Sequence, residues 1–139
     1  MTIAYLALGS NLGDRAGRLA LAVRLLEAAG VRVLRQSTVI ETEPYGVTEQ
    51  PRFLNQVLEV EWEGSARALL EVVKRVESDA GRRPTYRWGP RELDVDILLF
   101  GAERIDEPDL KVPHPGLWQR DFVLGPLSEL RPDILESRP

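Results

Sequence analysis

The sequence predicts an α+β fold, because segments with the hydrophobic period of a β-strand are interspersed with segments that have the period of a helix. Four segments are continuous or alternating in apolar residues, and two carry apolar residues at helical spacing. Their order is β-α-β-β-α-β, which is the split βαβ, or ferredoxin-like, arrangement. We therefore expect an antiparallel sheet with two helices packed on one face, extended at the C-terminal end by a hairpin and a short helix.

The first half of the chain supplies a strand, a helix and a long β-rich segment. Residues 2–8 ("TIAYLAL") have the composition of a strand and are followed by the loop "GSNLGD". A helix is expected over residues 14–29, where leucine and valine recur at helical spacing, and Gly30 is placed to end it. Residues 31–42 are rich in β-formers as far as the break at Pro44.

The second half repeats the pattern and then extends it. Residues 53–63 alternate as a half-buried strand does, and Ser65 can cap a second helix that ends at Gly81. Residues 93–100 form the last strand of the predicted sheet. A hairpin strand is expected near Arg104–Ile105, and a loop, a short helix and a closing segment follow it.

Composition limits the classes of function that the chain can have. Over residues 1–139, 43% hydrophobic and 29% charged residues predict one globular domain. Cysteine is absent and His114 is the single histidine, which excludes disulfides, thiolate catalysis and a zinc site of several cysteines or histidines. The net charge of -4 argues against general nucleic-acid binding. With no cationic leader and no apolar run of about 20 residues, the expected location is the cytoplasm, away from membranes.

Two aspartates occupy the strand at 93–100, where this residue type is rare. Asp94 and Asp96 share one face, with Cα atoms about 6.6 Å apart. The odd-numbered positions are all apolar and are expected to face the core. Ordinary solvent exposure is one interpretation of the aspartates, but Leu98 and Phe100 make their face apolar further along. We favour a cleft in which the paired carboxylates bind Mg²⁺.

A concentrated group of arginines precedes the aspartates. Within ten residues the chain carries Arg82, Arg83, Arg87 and Arg91, with Trp88 among them. Such charge runs are usually solvated loops. In an acidic chain, however, one basic segment next to a metal site suggests a small anionic ligand and phosphoryl transfer. No Walker A sequence occurs, and "GSNLG" is more simply a strand-to-helix turn than a phosphate-binding loop.

Three other side chains have both a structural and a functional interpretation. His114 lies between two prolines; a lone loop histidine is usually inert, but this one could donate a hydrogen bond to a phosphate. Asn55 interrupts a strand beside Phe53, either as a polar edge residue or as an amide that recognises a flat heterocycle. Phe122 by itself is better explained as a core residue than as a stacking residue.

Four stretches, in order and spacing, resemble the 6-hydroxymethyl-7,8-dihydropterin pyrophosphokinase family of folate biosynthesis. They are "ALGSNLGDR" (7–15), "TEPYGVTEQPRFLNQV" (42–57), "RWGPRELDVDIL" (87–98) and "VPHPG" (112–116). The resemblance implies a ferredoxin-like fold and Mg²⁺-dependent transfer of the β,γ-diphosphate of ATP to the hydroxymethyl group of a reduced pterin, with AMP as the other product. It implies two Mg²⁺ ions. No obligate protein partner is expected from the sequence.

The resemblance also implies a role for individual residues. Catalytic positions are Arg82, Arg91, Asp94 and Asp96, of which the two aspartates bind the metal ions. Positions at or beside ATP are Glu77, Arg83, Arg91, Ile97, Lys111, His114 and Arg120. Positions around the pterin are Thr42, Pro44, Tyr45, Phe53, Asn55, Trp88, Asp94 and Phe122.

Three other functions are compatible with parts of the pattern. The first is a non-catalytic ferredoxin-like module that binds nucleotide and Mg²⁺ without turnover. The second is an RNA-binding module of similar topology, which the aromatic content of 6% disfavours. The third is a metal-dependent phosphohydrolase, which would release phosphate or diphosphate to water. Production of AMP that depends on the pterin distinguishes the pyrophosphokinase from all three.

Overall fold

A computed structural model describes residues 1–44, 49–81 and 92–137 of the chain. Its strands are β1 (Thr2–Ser10), β2 (Arg32–Gln36), β3 (Ile40–Thr42), β4 (Phe53–Trp62), β5 (Asp94–Phe100), β6 (Ile105–Glu107) and β7 (Leu110–Val112). Its helices are α1 (Arg15–Ala28), α2 (Ala66–Asp79) and α3 (Asp121–Leu130), followed by a 3-10 helix over Pro132–Ser137. None of the helices in these ranges is long and apolar enough to cross a membrane.

The main sheet is antiparallel, with the strand order β2-β4-β1-β5, and β3 also pairs with β4. This confirms the predicted α+β class. The segment at 31–42, expected to be one β-rich unit, is divided into β2 and β3. Ser37 lies at the division, where its N–H donates to the carbonyl of Val57 at 2.9 Å and its hydroxyl accepts from the N–H of Val57 at 2.8 Å. The hydroxyl of Ser37 thus replaces a backbone carbonyl as the acceptor in the hydrogen-bond ladder with β4. The regular strand therefore ends at this residue.

Helices α1 and α2 begin and end where the sequence predicts. Asp14 and Ser65 are the N-caps, and each side chain accepts a hydrogen bond from the backbone N–H three residues further on. Gly30 and Gly81 follow the helices with φ of 93° and 91°, a conformation that favours glycine. Both helices pack on one face of the sheet, as expected from the element order.

The sheet has a hydrophobic core on each face. The helix-side core, beneath α1 and α2, includes Leu6, Leu8, Leu26, Leu58, Leu69, Val73, Val95, Ile97 and Phe100. The α3-side core, on the other face, includes Tyr5, Val57, Leu98, Leu99, Leu117, Val123, Leu124 and Leu127. The sequence predicted a short helix near the C-terminus but not that it covers the second face. Helix α3 packs there against β4.

The alternation predicted for the last strand is correct at the aspartates and wrong further along. Ile97 and Leu99 pair with successive residues of β1, so Leu98 is an extra residue in β5. Such a bulge reverses the side-chain alternation that follows it. Leu98 and Leu99 therefore both join the α3-side core, and Phe100 joins the helix-side core. The expectation that Leu98 and Phe100 share a face is thus incorrect.

Candidate active site

Asp94 and Asp96 lie where two concavities of the protein surface meet. The first concavity opens on the α3 side of the sheet, and its lining includes Gly9, Thr42, Glu43, Phe53, Asn55, Leu98, Arg120 and Phe122. The second lies between α2 and the β6-β7 hairpin, and its lining includes Leu70, Val73, Lys74, Glu77, Ile97, Pro108, Asp109 and Lys111. Asp94, Asp96 and His114 line both. The two carboxylates are therefore accessible from two binding spaces at once.

The aspartates form a donor set that suits a hard divalent cation. They are partly exposed on one face of β5, which pairs with β1. Among the described residues, no group of three or more metal-binding side chains occurs, and Asp94 and Asp96 are the carboxylates common to both concavities. Mg²⁺ is commonly bound by one or two carboxylates, with phosphate oxygens and water completing the shell. The residues present fit such an ion.

Glu77 supports the aspartate-bearing strand from the side of α2. Its side chain is buried, with 7% exposed, and lines the second concavity. Its carboxylate accepts a hydrogen bond from the backbone N–H of Val95 at 2.8 Å, and Val95 is the residue between the two aspartates. The family resemblance implies a position at or beside ATP for Glu77; in the structure its carboxylate also contacts the strand that carries the aspartates.

His114 is oriented by the loop "VPHPG" as a hydrogen-bond donor. Its backbone N–H donates to the carbonyl of Leu98 at 3.0 Å, and its Nδ1 accepts from the N–H of Gly116 at 3.0 Å. An accepting Nδ1 leaves the proton of a neutral imidazole on Nε2. Burial and then the positive charge of Arg120 lower the pKa of His114, against an opposing effect of Asp94. The neutral ring with a donating Nε2–H is thus the favoured form.

The first concavity combines two aromatic rings with an oriented amide. Phe53 and Phe122 both line it, and Phe122 also packs against the α3-side core. Asn55 is buried, and its Nδ2 donates to the hydroxyl of Thr42 on β3. The packing of Phe122 against the core agrees with its prediction as a core residue, while its place in the concavity was expected only from the family resemblance. A flat heterocycle fits a space of this chemistry.

Most predicted binding positions that the structure describes lie in one of the two concavities. The first contains Thr42, Phe53, Asn55, Asp94 and Phe122 of the pterin set. The second contains Glu77, Ile97, Lys111 and His114 of the ATP set. Arg120, expected beside ATP, lines the first, and Pro44 is buried without lining either. Tyr45, Arg82, Arg83, Arg87, Trp88 and Arg91 lie outside the described residues.

Lys74 is a residue of the second concavity that the sequence reasoning missed. It lies with Leu70, Val73 and Glu77 on the face of α2 that lines this space. Their spacing of three and four residues is the signal that could have identified them, since such residues share a helix face. Together with Lys111 of the hairpin, Lys74 gives the second concavity two cations.

Comparison with known proteins agrees with the family resemblance of the sequence. Residues 5–132 match the family described as 7,8-dihydro-6-hydroxymethylpterin-pyrophosphokinase (HPPK). The 2-amino-4-hydroxy-6-hydroxymethyldihydropteridine pyrophosphokinase of Bacillus subtilis (strain 168) is 46% identical over 129 residues, which are 92% of this chain and 77% of that protein. The protein of the same name from Aquifex aeolicus (strain VF5) is 42% identical over 135 residues, 97% of this chain and 84% of that protein.

A plant relative contains a similar segment within a longer chain. The mitochondrial folate synthesis bifunctional protein of Arabidopsis thaliana is 46% identical over 125 residues, which are 90% of this chain and 23% of that protein. The family match includes most of β1 and all of β4 and β5, and therefore the strands that carry Asn55 and the two aspartates. The chain belongs to the 7,8-dihydro-6-hydroxymethylpterin-pyrophosphokinase family.

Proposed function

We propose that this protein transfers the β,γ-diphosphate of ATP to the hydroxymethyl group of 6-hydroxymethyl-7,8-dihydropterin, in folate biosynthesis and in the cytoplasm. The observation that carries the proposal is the meeting of two concavities at Asp94 and Asp96. One space has the aromatic and amide lining of a heterocycle site, and the other has the cations of a nucleotide site. A transfer between two substrates requires both to reach the same point.

The two aspartates are the proposed ligands of two Mg²⁺ ions. Bound Mg²⁺ supplies charge neutralisation at phosphate oxygens. Asp94 and Asp96 would hold the ions where the two concavities meet, and Lys74 and Lys111 line the second concavity, which is the proposed space for the phosphates and the nucleoside. His114 donates from Nε2 to a phosphate oxygen, since its Nδ1 is engaged by Gly116. Glu77 keeps the strand between the aspartates in place.

The pterin is proposed to lie in the first concavity. Asn55 and Thr42 offer amide and hydroxyl groups to the polar edge of the heterocycle, and Phe53 and Phe122 offer aromatic surface. This orientation directs the hydroxymethyl arm toward Asp94. Pro44, Tyr45 and Trp88 are proposed to complete this pocket, in keeping with the family resemblance.

The proposed reaction is a displacement at the β-phosphorus of ATP. The hydroxymethyl oxygen forms a bond to this phosphorus and releases its proton to water, the bond to the bridging oxygen of the α-phosphate breaks, and AMP leaves with that oxygen. Arg82, Arg83 and Arg91 are proposed to bind the triphosphate, because guanidinium groups bind phosphate oxygens in pairs and stabilise charge in the transition state. Positioning and charge can supply most of the lowering of the barrier in such a transfer.

The test combines purified protein, Mg²⁺, ATP and the hydroxymethyl-dihydropterin, with AMP and pterin diphosphate quantified by chromatography. We expect the two products in equal amounts and none without the pterin. Phosphate or diphosphate released without the pterin would instead identify a phosphohydrolase. Binding of ATP and Mg²⁺ without any product would identify a non-catalytic binding module.

A further inference from the structure

The side chains of β1 become smaller toward the first concavity. Tyr5 belongs to the α3-side core, Ala7 packs at its edge, and Gly9 lines the concavity. These three residues lie two apart and therefore share one face of the strand. The residues of β4 and β5 that pair with Ala7 and Gly9 have larger side chains. Small residues on a central strand between larger ones create a trough in the face of the sheet.

The register places Gly9 in the middle of a row of three residues. Gly9 pairs with Asn55 of β4 on one side and with Asp94 of β5 on the other. Directly paired residues of an antiparallel sheet point their side chains to the same face. Asn55 and Asp94 thus stand on either side of Gly9, separated by two strand spacings, or about 10 Å.

Backbone conformation does not explain the glycine at this position. Gly9 lies within a regular strand and is not among the glycines with a positive φ. Glycine inside a strand is unfavourable unless another group approaches the backbone closely. A β-carbon at Gly9 would lie 3.3 Å from Oδ1 of Asn55 and 3.6 Å from Cδ1 of Phe53. It would therefore occupy the space beside two residues of the first concavity.

We propose that Gly9 is a specificity-determining residue that allows a fused bicyclic ring to lie across β1. This inference rests on the proposed function. The polar edge of the ring must reach Asn55 while its hydroxymethyl arm reaches Asp94, and only a flat ligand that passes over Gly9 spans both. A methyl group at this position would tilt the ring and move the hydroxymethyl oxygen away from the two aspartates. Gly9 does not line the second concavity, so the nucleotide is unaffected.

The first test is Gly9→Ala, with both substrates titrated separately. Because one methylene in a binding pocket changes affinity by roughly 10- to 200-fold, we expect an increase of roughly tenfold or more in KM for the pterin. KM for ATP and the binding of an ATP analogue should be unchanged. Gly125→Ala is the matched control, because a β-carbon there meets no atom within 4 Å, and its kinetics should equal those of the unmodified protein. An unchanged KM for the pterin, or an equal increase for ATP, would overturn the proposal.

A second test does not depend on turnover or on a folded Gly9 variant. The chain has no cysteine, so Ala7→Cys introduces a single thiol in the trough. We expect the pterin to slow alkylation of this thiol by iodoacetamide, and an ATP analogue alone to leave the rate unchanged. Ile3→Cys, at the exposed far end of the same strand, should react at one rate under all conditions. If the thiol of the Ala7→Cys variant reacts equally fast with and without the pterin, the pterin does not lie in the trough. That result would overturn the proposal even if AMP is formed.

Discussion

The carboxylate of Glu77 accepts a hydrogen bond from the backbone N–H of Val95 at 2.8 Å. Val95 separates the two aspartates, so a buried side chain of α2 is bonded to the middle of the proposed metal-binding strand. Strand β5 pairs only with β1 among the described strands, which leaves its other edge without a neighbouring strand. Glu77 supplies on that edge the acceptor that a neighbouring strand would otherwise provide.

Two variants of Glu77 distinguish the effect of the hydrogen bond that its side chain accepts from the effect of its negative charge. Glu77→Ala leaves the buried N–H of Val95 without this acceptor, and we expect a loss of about 1–3 kcal/mol in the free energy of unfolding. The Mg²⁺ concentration needed for half-maximal rate should rise as well, because the aspartates lose their support. Glu77→Gln retains a carbonyl acceptor and should recover most of the stability. Denaturant titration and Mg²⁺ titration measure the two effects, and full stability of Glu77→Ala would contradict the role.

Asp96→Ala should abolish product formation while the protein remains folded. Loss of a metal ligand removes several kcal/mol of charge stabilisation, which corresponds to a rate decrease on the order of a hundredfold or more. Asp96 is partly exposed, so its removal leaves no buried cavity. The control is Asp133→Ala, which removes an exposed carboxylate of the 3-10 helix that is paired with Arg131. Formation of AMP and the circular dichroism spectrum are compared; an active Asp96→Ala enzyme would refute the metal role.

His114 should titrate below the usual range of histidine in the metal-free protein. Burial is the main cause of its lowered pKa. The stability that the neutral ring contributes is therefore complete above its unfolded pKa of about 6.5 and is lost as the pH falls through the lower folded value. Protonation of Nδ1 would also break the bond from Gly116. Because the chain has one histidine, a single NMR imidazole signal reports the pKa directly. Titration at or above the usual value would contradict this assignment.

Tyr5 should resist ionisation, because its hydroxyl is part of a charged cluster at the edge of the α3-side core. The hydroxyl donates to Glu59 at 2.5 Å, and Arg35 donates to the same carboxylate at 2.9 and 3.1 Å. Burial, followed by the hydrogen bond to Glu59, raises the pKa of Tyr5 to about 12. The stability linked to this proton is complete below pH 10.0, the ordinary pKa, and is lost as the pH rises toward the folded value.

The corresponding variant is Tyr5→Phe. We expect it to lower the free energy of unfolding by roughly 1.5–3 kcal/mol, since hydrogen bonds to charged groups are stronger than neutral ones. Glu59 retains Arg35 as its partner. Ultraviolet titration should show that the component of the curve that ionises at about pH 12 has disappeared. An unchanged titration curve would show that another tyrosine is the protected one.

Local rules were sufficient to predict most of the elements and part of the site. The periods of apolar residues determined where strands and helices form, and the caps at Asp14 and Ser65 determined where both main helices begin. The common face of Asp94 and Asp96 follows from the two-residue period of a strand, whatever surrounds it. These features depend on residues that are close in sequence, so the amino-acid sequence by itself determined them.

Long-range packing decided the rest. The bulge at Leu98 depends on how β5 pairs with β1, and the burial of the second sheet face depends on where α3 docks. Gly9 lies between Asn55 and Asp94 only because three strands that are distant in the chain pair in one register. Cross-strand register and layer packing arise from contacts between distant residues, which no local period encodes. The common face of the two aspartates could therefore be predicted from the sequence. The two concavities that meet at them depend on the tertiary structure.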